Sequence, residues 1–143
     1  MRERSLIKLV SNSALETFEL GQRIAAHISK DSVIALKGAL GSGKTLLSKG
    51  IADGLGIKEN LLSPTYTIIN EYPSLFHIDA YRLSCDRDFE DIGGLEVIAS
   101  EKISIIEWSE RIPKSIPDDA ITISLEITGA LSRVITIEGL ETL

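Results

Sequence analysis

Eight residues, Gly38-Ala39-Leu40-Gly41-Ser42-Gly43-Lys44-Thr45, constrain what this chain can fold into more than any other stretch. They match G-x-x-x-x-G-K-[ST] at every fixed position. The six residues before them, Ser32-Val33-Ile34-Ala35-Leu36-Lys37, form a short apolar run that reads as a strand. From Leu46 to Leu55 the apolar residues recur at helical spacing. Strand, glycine-rich loop and helix in that order make a phosphate-binding supersecondary unit. A glycine-rich turn that matches by chance is the competing explanation, and the flanking strand and helix weigh against it.

The residue types follow from the chemistry. Gly41 and Gly43 let the backbone wrap close to an anion and adopt positive φ. Gly38, Gly41, Ser42 and Gly43 are therefore expected to line the anion with backbone N–H groups, joined by the N-terminus of the following helix. Lys44 is expected to reach the β- and γ-phosphates, and the Thr45 hydroxyl to ligate Mg²⁺. The expected ligand is a nucleoside triphosphate.

At 143 residues the chain is long enough for one domain, 1–143, with a sizeable core, and 43% of it is hydrophobic. Its apolar runs fall short of the ~20 residues that cross a bilayer. Met1-Arg2-Glu3-Arg4-Ser5 mixes charges and leads into a strand, so no signal peptide is expected. A single cysteine, Cys85, excludes an intrachain disulfide and suits a reducing cytoplasm. No base is marked out for Cys85, which reads as an ordinary thiol. The formal net charge of −6 argues against a domain that grips nucleic acid by its backbone. Any RNA in this protein's role is expected to be held by a partner.

The remaining segments predict an α/β fold with a mixed sheet flanked by helices. Ser5–Val10 reads as a first strand. Ala14–Ser29 reads as an amphipathic helix, with Ser13 and Glu16 spaced for a capping box. Ser63–Tyr72 and Leu75–Arg82 read as an antiparallel hairpin. Alternation there places Phe76 and Ile78 on one face and His77, Asp79 and Tyr81 on the other. Residues 86–100 suggest one or two short helices. Lys102–Trp108 is an apolar run that suits a central strand, and Ile112–Pro117 is a loop. Ala120–Ile127 and Arg133–Glu138 alternate around Thr128-Gly129-Ala130 and predict a final hairpin.

A phosphate loop needs a second acidic residue near the end of an apolar strand to hold Mg²⁺ or its waters. Glu107 ends the stronger apolar strand, where α/β ligand sites form, and is favoured for the metal. Left unpaired in a buried strand end, it would be costly. Asp79 ends a weaker strand, and a site role and a half-exposed hairpin carboxylate weigh equally for it. His77 either polarises a water or hydrogen-bonds within the hairpin, with the second favoured. Trp108 either caps the site or fills core, again with the second favoured. Thr65 and Thr67 are either γ-phosphate sensors or ordinary strand residues.

The succession of Gly38–Thr45, Ser63-Pro64-Thr65-Tyr66-Thr67, His77-Ile78-Asp79-Ala80-Tyr81-Arg82 and Glu107-Trp108 resembles the bacterial TsaE family. The phosphate loop is common to very many proteins, so the second and third blocks carry the specificity. The resemblance spans nearly the whole chain. It implies an ATPase required for threonylcarbamoyl modification of adenosine in tRNA, acting with the TsaD and TsaB proteins. TsaD would perform the transfer, and ATP turnover here would reset or activate the complex, with tRNA met only through it. Carried over by position, Lys44 is the phosphate lysine, Thr45 and Glu107 hold Mg²⁺, and Thr65 and Asp79 lie at the active site. Ala39 and Ser42 depart from the acidic residue and alanine common at those loop positions. Both are positions that contribute backbone N–H groups, so no required group is lost.

Two other classes compete. A small-molecule kinase would need a lid carrying arginines, and Arg82, Arg87 and Arg111 are scattered. A nucleotide-gated interaction module would keep the loop and metal residues yet hydrolyse ATP negligibly alone. A GTPase is disfavoured: Asp91-Ile92-Gly93-Gly94 fits D-x-x-G, but no N-K-x-D guanine motif occurs. Adenine is thus the favoured base.

Overall fold

The computed structural model describes residues 4–61 and 68–143. In chain order the described elements are β1 (Leu6–Ser11), α1 (Ala14–Ala25), β2 (Val33–Gly38), α2 (Lys44–Gly54), β3 (Ile69–Tyr72) and β4 (Leu75–Asp79). They continue with α3 (Asp86–Asp91), α4 (Gly94–Ile98), β5 (Ile103–Glu107), a 3₁₀ turn at Ser109–Arg111, β6 (Ile121–Ile127) and β7 (Arg133–Glu138). The strands form one mixed sheet in the order β1-β7-β6-β2-β5-β4-β3. β6, β2, β5 and β4 run parallel to one another, and β1, β7 and β3 run antiparallel to their neighbours.

Sequence pattern sets each strand's place. β5 is buried along its whole length and β2 along its first four residues, as expected for parallel strands covered on both faces. β6 and β7 alternate buried with more exposed residues, because only one face of that half of the sheet is covered. Adjacent side chains of β2 are sorted to opposite layers. Ile34 and Leu36 join Leu20, Ile24, Leu47 and Ile51 beneath α1 and α2, while Val33 packs with Ile78, Phe89, Ile106 and Ile112 on the other side.

The α1–α2 contact is close because both helices present glycine where they meet. A Cβ on Gly21 would lie 2.5 Å from the Leu47 carbonyl oxygen, and one on Gly50 would collide with the Phe18 carbonyl oxygen. This packing holds the start of α2, and with it the loop, against the sheet.

Both predicted hairpins form, as β3–β4 and β6–β7, with the Ser63–Thr67 part of the first predicted strand lying outside the described residues. The first helix stops at Ala25, short of the expected Ser29, where the Ala26 and His27 N–H groups fold onto the Arg23 and Ile24 carbonyls. Glu16 Oε2 accepts from the Asn12 N–H at 2.7 Å while Ser13 Oγ accepts from the Glu16 N–H at 3.1 Å, a capping box displaced by one residue on one arm. β4 is no peripheral hairpin strand: it lies between β3 and β5. Tyr81 falls beyond its end and is exposed, so it does not continue the row of His77 and Asp79. Among the described residues no helix is long and apolar enough to cross a membrane.

Candidate functional site

The C-terminal ends of the parallel strands converge on one edge of the sheet. Register places Leu36 of β2 opposite Glu107 of β5, and Glu107 opposite Asp79 of β4. The loop that leaves β2 therefore emerges beside two carboxylates. A cleft of about 280 Å³ results, lined by the loop from Leu40 to Leu46 and by Asp79, Glu107 and Trp108.

The loop is held by its own backbone. The Ser42 N–H closes a turn onto the Ala39 carbonyl at 3.0 Å, and the Leu47 N–H begins the helix from the Gly43 carbonyl at 2.9 Å. Gly43, with φ of 106°, takes a conformation that residues with a side chain rarely adopt. It caps α2 without any side-chain hydrogen bond, and no acidic residue lies in the first turn. α1 offers the contrast, since Ser13 caps it. The first N–H groups of a helix have no partner within it, so the start of α2 faces the cleft as an anion-binding terminus.

Lys44 is 5% exposed, and Nζ donates to the Gly38 carbonyl at 2.5 Å and the Ala39 carbonyl at 3.0 Å. The Trp108 ring centroid lies 3.9 Å from Nζ. Burial pushes the Lys44 ammonium below its ordinary 10.5, against the pull of Glu110, Glu107 and Asp79. The backbone of Trp108 explains how the ring gets there. Its φ of 60° is left-handed, which costs a residue with a Cβ about 1–2 kcal/mol and turns the chain sharply after β5. The Ser109 hydroxyl, donating to the Leu36 carbonyl at 3.1 Å, pins that turn. Tyr81 packs 4.9 Å from the Trp108 ring, with the Arg111 guanidinium over both.

Glu107 is 3% exposed but well partnered. Oε1 accepts from the Thr45 hydroxyl at 2.8 Å, and Oε2 lies 2.5 Å from His77 Nε2 and 3.4 Å from the Ser48 hydroxyl. This corrects the expectation that a buried Glu107 would be unpaired without a metal: three side chains already satisfy it. It also corrects His77, whose bond goes to the neighbouring strand and not within its hairpin. His77 Nδ1 is buried with no hydrogen-bond partner among the described residues.

Asp79 is half-buried and accepts from the Tyr81 N–H at 3.0 Å. Burial raises its carboxyl above the ordinary 3.8 and Glu107 adds to the rise, while the Tyr81 N–H and Lys44 oppose it. Thr45 and Glu107 supply one hydroxyl and one carboxylate oxygen 2.8 Å apart, a hard donor set of the kind Mg²⁺ takes when phosphates and waters complete its shell. The Ser42 hydroxyl is buried against Gly38 and has no hydrogen-bond partner among the described residues.

The structure thus brings Gly41, Ser42, Gly43, Lys44, Thr45, Asp79 and Glu107 to one cleft, with Gly38 behind them accepting from Lys44; the Gly38 and Ser42 N–H groups, expected to face the anion, are instead spent on Glu110 and the Ala39 carbonyl. Thr65 and Thr67 lie outside the described residues. Trp108 does pack against the core, yet it also covers Lys44. Reading by segments missed Arg133, which touches the loop from β7, and Ser48, one helical turn beyond Lys44. The spacing of Lys44 and Ser48 on one helix face was a usable signal; nothing local marked Arg133.

A glycine-rich loop between a strand and the start of a helix, with a carboxylate on the adjacent parallel strand bonded to the loop threonine, defines a phosphate-loop (P-loop) protein. The family model described as "Threonylcarbamoyl adenosine biosynthesis protein TsaE" matches residues 11–135, and the chain belongs to that family. A tRNA threonylcarbamoyladenosine biosynthesis protein TsaE from Treponema pallidum is 40% identical over 134 residues, covering 92% of this chain and 99% of its own. The TsaE of Bacillus subtilis is 36% identical over 125 residues, with 85% and 78% covered. The crystal structure of Bacillus subtilis YdiB superposes with a TM-score of 0.81 at 28% identity, over 98% of this chain and 89% of that one.

Proposed function

We propose that this protein is a cytoplasmic Mg²⁺-dependent ATPase that supports threonylcarbamoyl modification of tRNA adenosine together with TsaD and TsaB. One observation carries the reading: the uncapped start of α2, Lys44, Thr45 and two carboxylates meet in a single cleft. The triphosphate would lie on the N–H groups of the loop and first helical turn. Lys44 would leave the Gly38 and Ala39 carbonyls for the β- and γ-phosphates. Mg²⁺, held by Thr45 and Glu107, would neutralise charge on the same phosphates. His77 and Ser48 fix the second oxygen of Glu107, so that only the first faces Thr45. Asp79, one strand further, would orient water and accept its proton as oxygen attacks the γ-phosphorus and the bond to ADP breaks. Thr65 belongs to the same proposal through the family motif.

Lys44 is already engaged by two carbonyls and an aromatic ring, which supports slow turnover by the protein alone and acceleration by a partner. The test is ATP hydrolysis by the purified protein with and without TsaD and TsaB. Stimulation by the pair, lost by about 10²–10³-fold in Lys44→Ala, is expected. Turnover indifferent to the pair would refute the partnership, and full activity in the variant would refute the site.

A further inference from the structure

We propose that Arg133, on β7 and outside the cleft, is a positioning residue that holds the phosphate loop in its anion-binding conformation. The inference rests on the nucleotide-binding reading above and assigns that site a further support, from outside the loop and its helix.

One guanidinium spans two segments that are far apart in sequence. Nε donates to the Ser42 carbonyl at 3.1 Å and Nη2 to the Gly41 carbonyl at 3.1 Å. Nη1 donates to the Gly129 carbonyl at 3.1 Å and the Ser132 carbonyl at 2.8 Å, in the turn between β6 and β7. The planar, always-charged fork of arginine suits such a task, and a lysine ammonium has no equivalent geometry. Pairing of Arg133 with Ser11 of β1 and Ile127 of β6 fixes its backbone in the sheet.

Peptide planarity turns these bonds into an effect on the site. In a trans peptide the carbonyl and the next N–H point in opposite directions, and the described residues contain no cis bond. With the Ser42 carbonyl drawn to Arg133, the Gly43 N–H is directed away from Arg133, to the side where the cleft opens. With the Gly41 carbonyl drawn the same way, the Ser42 N–H is directed to its bond with the Ala39 carbonyl. Gly41 and Gly43 adopt φ of 80° and 106°, and glycine peptides reorient easily when untethered. Arg133 selects one orientation before any ligand arrives, which removes an ordering cost from binding. Because it grips carbonyls behind the loop, it touches no substrate.

The alternative is that Arg133 only staples the β6–β7 turn. Arg133→Met keeps most of the stem and removes the fork, and Arg133→Lys keeps the charge alone. ATP affinity, kcat, KM, the melting midpoint without nucleotide and the Gly43 amide resonance would be measured for both and for the wild type. About a tenfold loss of ATP affinity in the Met variant is expected, as for one hydrogen bond to a charged group. The Lys variant should lose less, KM should move more than kcat, and the Gly43 amide should shift even without ATP. Wild-type ATP affinity and an unmoved Gly43 resonance in both variants, with or without a lower melting midpoint, would overturn the role of Arg133. A wild type that does not bind ATP would instead overturn the nucleotide reading on which it rests.

Discussion

At the scale of single residues, the site places groups where function gains and stability loses. Asp79 is the clearest case, since burial and the nearby Glu107 hold its carboxyl above its ordinary value. A raised carboxyl contributes stability that is fully present below pH 3.8 and lost as pH rises through the folded-state value. Ionised Asp79 therefore weakens the nucleotide-free fold at neutral pH. Asp79→Asn is expected to melt higher than the wild type at pH 7, with the advantage vanishing below pH 3.8. The same variant should lose roughly 10²-fold in turnover, the usual cost of removing a proton acceptor. Differential scanning calorimetry across pH, alongside ATP hydrolysis, checks both halves. A lower melting point at pH 7 would show that the Tyr81 hydrogen bond outweighs the burial.

At the scale of elements, α1 and α2 act as one unit. The hydrophobic positions of both helices are apparent from spacing, but their separation depends on Gly21 and Gly50, which carry no apolar signal at all. Gly50→Ala is expected to destabilise the protein by about 1–3 kcal/mol, although alanine is the better helix former, because the added Cβ meets the Phe18 backbone. Urea unfolding checks this, and a stabilised variant would contradict the close approach. Since α2 carries Lys44 and Thr45, nucleotide affinity should weaken as well. β6 and β7 form a second unit, which reaches the loop through the pairing of Leu125 with Gly38 and through Arg133.

At the scale of the whole molecule, an anionic protein of net charge −6 is proposed to hold an anionic nucleotide. Local fields must prevail over the total, and Lys44 together with the start of α2 supplies them. Ligand binding to the folded state alone then raises stability by about 2.7 kcal/mol at a hundredfold excess over Kd. For a chain of this size the expected rise in Tm with Mg-ATP is on the order of 8 °C. EDTA should remove much of that rise, and a rise indifferent to EDTA would argue against Thr45 and Glu107 as metal ligands.

Much was legible in the chain itself, because it is recorded locally. The strand, loop and helix around Gly38–Thr45 are contiguous, and Glu107 stands at the end of an apolar run whose burial on both faces follows from its composition. Both hairpins are marked by short turns, and the family blocks lie in continuous stretches. Only the tertiary structure decided the rest. It placed β4 beside β5 in register, which joins His77 to Glu107 and sets Asp79 next to it. It turned Trp108 back over Lys44, and it carried Arg133 across the sheet to the carbonyls of Gly41 and Ser42. Those contacts join residues tens of positions apart, so no window of sequence holds both partners. Periodicity reports which face of an element is buried, while strand order and register determine what meets it there.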